Sequence, residues 1–274
     1  GLDLGLFNNR LRITTDYYKK KTTDLLYSVA VPATSGYQTM LKNIGSIENQ
    51  GYELSIESDN LTGAFSWTTA FNIAFNRNKV LELGGEEYKE MAEGDGHLKT
   101  GSVRRLIVGE PIGVFYGYRF DGIFQNEEEC KQQTSSASPI GVGLRRYKDL
   151  NGDGKVDAAN DREILGDANP KFFGGLTNTF AYKGFELNVF LQYSYGNKIL
   201  NYNAMELENP TGGQNAYADM VNRWTPENPS NIYPKATTNR ALLVSDRFIE
   251  DGSYLKLKTL SLSYSFPKIN LKHI

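Results

Sequence analysis

The sequence is poor in the residues that usually announce chemistry. It has one cysteine, Cys130, and two histidines, His97 and His273, among 274 residues. A single cysteine excludes a disulfide framework and any cysteine-based zinc site. The histidines stand far apart and fit no ligand or triad spacing. An excess of one charge is also missing: 30 Lys and Arg against 32 Asp and Glu leave −2, with no basic surface for nucleic acid. No apolar run approaches the ~20 residues of a transmembrane helix. GEPIGVFYG lacks the Gly-Lys-Ser/Thr ending of a phosphate loop. No two acids stand out as the acid and nucleophile of a glycosidase, so enzymatic activity is not expected. There is no initiator Met and no signal peptide, and the strand-like pattern begins at residue 1, as in a piece of a longer chain.

What is abundant is aromatic residues and glycine: 17 Tyr, 14 Phe and 27 Gly, a load that suits strands and loops. Alternation with period two dominates. FSWTTAFNIAF puts Phe65, Trp67, Thr69, Phe71, Ile73 and Phe75 on one face and Ser66, Thr68, Ala70, Asn72 and Ala74 on the other. GYELSIES and FELNVFLQY repeat the pattern, and such segments of roughly ten residues match the ~9–11 of a tilted membrane strand.

The connections alternate in length. Asn8-Asn9, Asp59 to Gly63, Gly109-Glu110-Pro111 and Lys183-Gly184 mark tight turns; residues 19–45, 77–102, 125–170 and 196–252 mark long loops. Placing all tight turns at one end of an antiparallel sheet requires a separate strand at Ser102 to Val108 before VFYGYRFDGIF. That gives about nine strands, the ninth from Tyr254 to Phe266. Its apolar phase slips between Leu257 and Leu260, the mark of a β-bulge. Short turns on one side and long loops on the other form the pattern of an outer-membrane barrel, with Phe65, Trp67, Phe71 and Phe75 toward lipid and Ser66, Asn72 and Asn76 toward the lumen. A soluble β-sandwich, calcium-dependent and carbohydrate-binding or adhesive, is the alternative. No fixed-period repeat supports a propeller or solenoid.

Residues 149–161, DLNGDGKVDAAND, resemble a calcium loop. Asp149, Asn151 and Asp153 occupy positions 1, 3 and 5, Gly154 position 6, the Lys155 carbonyl position 7 and Asp157 position 9. Position 12 is Asn160, and the acid arrives one residue late as Asp161. An extra residue within Ala158-Ala159-Asn160 would have to bulge for Asp161 to reach back. A structural Ca²⁺ held by this set would order a 125–170 loop that has little apolar material; bare Asx turns are the alternative. Tyr202, Tyr217, Trp224 and Tyr233, set among amides, are candidates to stack on sugar rings, or else to pack the loop against its neighbours. Lys19-Lys20-Lys21 and Glu127-Glu128-Glu129 read as solvated loop surfaces.

Six segments in order along nearly the whole chain resemble the SusC/RagA-type TonB-dependent outer-membrane transporters: GLDLGLFNNRLRITTDYYKKKTTDLL, IGSIENQGYELSI, PIGVFYGYRFDGIF, DLNGDGKVD, DREILGDANPKFFGGL and DRFIEDGSYLKLKTLSLSYSFPK. The family's loop ends in Asp at position 12, where this chain has Asn160. The resemblance implies an all-β antiparallel barrel of about twenty-two strands with an N-terminal plug in its lumen. It also implies TonB-driven import of oligosaccharides or peptides across the outer membrane of a Gram-negative bacterium, under a SusD-like lipoprotein lid. On this reading residues 1–274 are one partial barrel domain. Plug, TonB box and signal sequence would precede Gly1, and the closing aromatic strand would follow Ile274.

Overall fold

The computed structural model describes residues 1–30, 39–91, 102–209, 215–238 and 243–266. The expected histidines, at 97 and 273, lie outside them. The chain divides into two compact units: Gly1–Gly84, Asn169–Asn197 and Gly252–Ile274 form one, and Gly85–Ala168 with Lys198–Asp251 form the other.

The first unit is one antiparallel sheet. It begins with β1 (Leu2–Leu6), β2 (Leu11–Ala30), β3 (Thr39–Thr62) and β4 (Phe65–Leu83). The chain then makes the short strands of the second unit: β5 (Tyr88–Met91), β6 (Arg104–Ile107), β7 (Val114–Tyr118), β8 (Phe120–Ile123), β9 (Thr134–Ser135), β10 (Arg145–Tyr147), β11 (Lys155–Val156) and β12 (Arg162–Asp167). It returns to the sheet as β13 (Phe172–Tyr182) and β14 (Phe185–Tyr195), leaves again for β15 (Lys198–Leu200) and β16 (Ile249–Asp251), and ends in β17 (Tyr254–Tyr264). The sheet order is β1-β2-β3-β4-β13-β14-β17.

Seven strands, not nine, therefore build the sheet among the described residues, and the turn parity closes without the strands expected at Ser102 to Val108 and at VFYGYRFDGIF. β6 and β7 belong to a separate four-stranded sheet, β12-β7-β6-β5. Residues 114–118 are buried on both faces apart from a half-buried Tyr116, so they are core strand and not a two-faced wall. Every tight turn of the first unit lies at one end: Phe7 to Arg10, Gly63-Ala64 and Lys183-Gly184, the last with both φ positive (45° and 87°) as a type I′ hairpin needs.

The long loop expected at 19–45 is largely strand. β2 and β3 pair far beyond the apolar zone, with Lys19, Lys20 and Lys21 opposite Gln50, Asn49 and Glu48. The lysine run is thus a polar ribbon, and Lys19 Nζ lies 3.1 Å from the Glu48 carboxylate. Strands without an apolar face leave no period to read.

One face of the sheet carries the large residues. Phe71 stands opposite Ile56 and Leu176, and Leu176 opposite Leu191. Phe65, Trp67, Phe180 and Tyr182 cluster near the tight turns, with the Phe65 and Trp67 rings 6.3 and 5.7 Å from Phe180. Phe75, Phe172, Tyr193 and Tyr195 cluster at the far end, Phe172 lying 5.1 Å from Tyr195. Gly174 is required where the Tyr193 ring crosses the strand to donate its hydroxyl to the Asn72 carbonyl at 2.8 Å. The expected bulge is present: Phe190 pairs with Thr259 and Leu191 with Leu257, leaving Lys258 over. A sandwich would cover this face with a second sheet; within the first unit the described residues form only the one.

The second unit has its own core of Val103, Phe115, Leu165, Leu200, Met205, Val244 and Phe248. These come from segments up to 145 residues apart, Val103 to Phe248, so no local pattern reveals them. Gly117 is glycine for a steric reason: a Cβ there would strike the Val244 carbonyl, which accepts the Tyr118 amide at 2.9 Å. Glu127–Glu129 open the helix α1 (Glu127–Lys131), not a loop. Asn126 Oδ1 accepts the Glu129 amide at 2.9 Å while its Nδ2 donates to Glu129 Oε1 at 3.1 Å, a reciprocal cap whose Asn-x-x-Glu spacing is legible in the sequence.

Candidate functional site

The 149–161 stretch is a compact turn held by its own acids. Asp149 accepts the Gly152 and Gly154 amides at 2.7 and 2.6 Å. Gly152 and Gly154 both have positive φ, which the turn demands. Asn151 and Asp153 bond each other, and Asp153 also accepts the Lys155 amide at 2.8 Å. Lys155 Nζ lies 3.1 Å from Asp157, and this contact, with the Asn160 and Ala159 amides, holds the Asp157 carboxyl below the usual carboxylate range.

The delayed acid does reach back. Asp161 is fully buried and accepts two amides at 2.7 Å, from Leu150 and from Asp157. The extra residue lies in an exposed turn, Ala158 to Asn160, in which the Asp161 amide returns to the Asp157 carbonyl at 3.2 Å. The six residues expected to ligate calcium thus share one turn, but among the described residues no three His, Cys, Asp or Glu side chains gather as a metal-holding group. Backbone amides and the Lys155 ammonium take up the acids. As folded, the acids engage amides and Lys155 as bare Asx turns do, and the calcium reading of the same residues rests on their spacing.

The four aromatic candidates are not brought together into one site. Tyr202 begins the helix α2 (Tyr202–Leu207) and packs on the core of the second unit. Trp224 donates its indole N–H to Gln125 Oε1 at 3.0 Å, and its backbone amide bonds the Tyr233 carbonyl at 3.0 Å. The Tyr233 ring lies 5.5 Å from the Arg247 guanidinium. Tyr217 alone shows an open face, at 37% exposure. Packing, the plainer of the two expectations, describes Tyr202.

Sequence reasoning missed a pair of buried arginines. Arg105 is sandwiched between the Tyr88 and Tyr116 rings at 4.0 and 3.7 Å and paired with Glu90. Arg145, on β10, lines a recess with Tyr147 and Asn209. Burial pushes the Arg145 guanidinium down and the Tyr147 phenol up from their ordinary values. RRY at 145–147 gave no sign of this, because alternation within three residues does not tell core from surface.

Comparison with known proteins agrees with the fold. No protein-family model matches the chain. TonB-dependent receptor P3 of Formosa agariphila is 40% identical over 98% of this chain and 26% of its own length. Receptor P26 of the same organism is 35% identical over 97% of the chain, and TonB-dependent receptor SusC of Bacteroides thetaiotaomicron 28% over 98%. A solved structure of the RagAB peptide transporter superposes with a TM-score of 0.75 at 25% identity, over 97% of this chain and 28% of that one. The chain spans about a quarter of the length of the curated relatives it matches. Along nearly all its residues, and in its antiparallel wall of tight turns and long excursions, the chain resembles a barrel segment of the SusC/RagA-type TonB-dependent receptors.

Proposed function

We propose that the whole protein is an outer-membrane nutrient importer of a Gram-negative bacterium, energised through TonB, and that this chain supplies part of its wall and outer loops. The observation that carries the reading is the single apolar face bounded by aromatic clusters at both strand ends. An eleven-residue strand such as β13 rises about 25 Å at ~3.3 Å per residue and ~40° of tilt, the height of the apolar band of such barrels. Phe65, Trp67, Phe71 and Phe75 then meet lipid, while Ser66, Asn72 and Asn76 face the lumen.

Among the described residues the sheet ends in two edges without a neighbouring strand, β1 and β17, whose residues are exposed throughout. Barrels abolish edges by closure, so these strands pair with further strands of the same wall. The excursions fold into the second unit, a surface suited to a SusD-like lipoprotein and to an oligosaccharide or peptide. The name of one relative, a peptide transporter, favours neither ligand for this chain by itself. Deleting the encoding gene and measuring uptake of labelled glycans and peptides tests the reading. Loss of uptake of one class, with the protein in the outer-membrane fraction, is expected. Unchanged uptake of every compound, or extraction into buffer without detergent, would overturn it.

A further inference from the structure

Arg145 is 8% exposed and has no carboxylate partner among the described residues. Its Nη2 donates to the Glu208 carbonyl at 3.0 Å, and its Nε has no acceptor. The nearby Glu208 carboxylate is already engaged, accepting twice from Arg247 at 2.9 and 3.1 Å. Arg105, equally buried, shows the ordinary arrangement, since Glu90 neutralises it. A buried guanidinium without an anion is disfavoured by desolvation, and buried charges are normally paired.

Arg145 lines a small recess of about 30 Å³, room for a carboxylate group, walled by Pro139, Leu144 and Pro234 beside Tyr147 and Asn209. Asn209 Nδ2 is a second buried donor without an acceptor on the same wall. Among the described residues, then, two N–H donors without acceptors and a guanidinium without a carboxylate partner belong to side chains that line one recess. From this we infer that the recess binds the carboxylate end of a small acidic ligand, with Arg145 supplying the charge-assisted bond and Asn209 a second donor. Among the described residues Arg247 and Glu208 neutralise each other, so a monoanion is the charge that Arg145 calls for. A phosphate dianion would exceed the donors present. The guanidinium's planar fork suits a carboxylate, and the proline and leucine walls suit the carbon that bears it. The free end of a peptide and the acid group of a uronic sugar share this chemistry.

The inference concerns binding and does not depend on transport, so the two fail separately. Titration calorimetry on the full-length protein in detergent, with N-acetylalanine in one arm and galacturonate in the other, decides the source. Each arm is repeated with the methyl ester. At least one acid is expected to bind ten-fold or more tighter than its ester, and Arg145→Met to abolish that difference. Should Arg145→Met fail to fold, Asn209→Asp, which places an acceptor where the donor stood, is expected to weaken the acid ten-fold with an unchanged circular dichroism spectrum. Acids that bind no better than their esters, or a preference that survives in folded Asn209→Asp, would overturn the proposal.

Discussion

The buried carboxylate of Asp161 accepts the backbone amide of Leu150, eleven residues earlier, at 2.7 Å. Its other oxygen takes the Asp157 amide at the same distance, so one side chain closes both ends of the turn. Hydrogen bonds to a charged group contribute about 1.5–3 kcal/mol each. Asp161→Ala is therefore expected to destabilise this loop by about 2–4 kcal/mol. The check is faster amide hydrogen exchange across 149–161, with the sheet unaffected.

The same loop tests the cation. With its acids bonded to amides and to Lys155, exchange across 149–161 in the full-length protein is expected to be the same in millimolar calcium as in excess chelator. Ten-fold slowing by calcium would restore the ion-bound loop that the Asp149, Asn151, Asp153 spacing suggests.

Glu90 carries the acid dependence of the four-stranded sheet. Burial pushes its carboxyl up, but hydrogen bonds from Arg105 and Ser102 and the charges of Arg105 and Arg162 outweigh burial and leave it lowered. A carboxylate depressed on folding stabilises above its unfolded pKa, and that stability is lost as pH falls through the folded value. For glutamate the window lies below about pH 4. Order in this sheet, followed by exchange at Leu106 and Tyr116, is expected to fall as the pH drops below about 4. Glu90→Gln should remove that dependence. Because the substitution leaves the buried Arg105 with one anion fewer, it should also lower protection of this sheet at pH 7. A wild-type and variant with identical acid profiles would contradict the assignment.

Lys258 is the residue left over where β17 meets β14. Removing it would straighten β17 while keeping Leu255, Leu257, Leu260 and Leu262 on one face. Deletion of Lys258 is expected to preserve heat-modifiable gel migration of the full-length protein. Deleting Ser261 throws Leu262 and Tyr264 onto the opposite face, since a one-residue slip inverts every side chain, and should abolish that migration. Equal tolerance of both deletions would sink the register argument.

Gly117→Ala puts a methyl group against the Val244 carbonyl. Overpacking of this kind costs about 1–3 kcal/mol. The Tyr118 amide, bonded to that carbonyl, should exchange faster, while the seven-stranded sheet stays protected.

The sequence by itself determined the wall. Phe65 to Phe75 and Phe185 to Tyr193 alternate because a sheet with one apolar face writes a period of two into the chain, and the slip between Leu257 and Leu260 marked the bulge. The Asx-rich turn at 149–161 was legible too, because Asp-Gly and Asn-Gly act over a few residues. Tertiary structure alone decided what depends on distant partners. Ser102 to Val108 carries strand-forming residues wherever it goes, and only its pairing with Tyr88–Met91 and with Phe115 puts it in the four-stranded sheet of the second unit. The second unit's core joins Val103, Leu165, Met205 and Val244 across separate excursions, and no local period records contacts of that range. Asp161 looked like a ligand one residue out of place; only the folded chain shows the Leu150 and Asp157 amides converging on it. Arg145 is an ordinary surface residue by composition. It becomes a buried cation lining a recess because Tyr147, Asn209 and Pro234 are brought around it by folding, a consequence of packing that spacing along the chain does not encode.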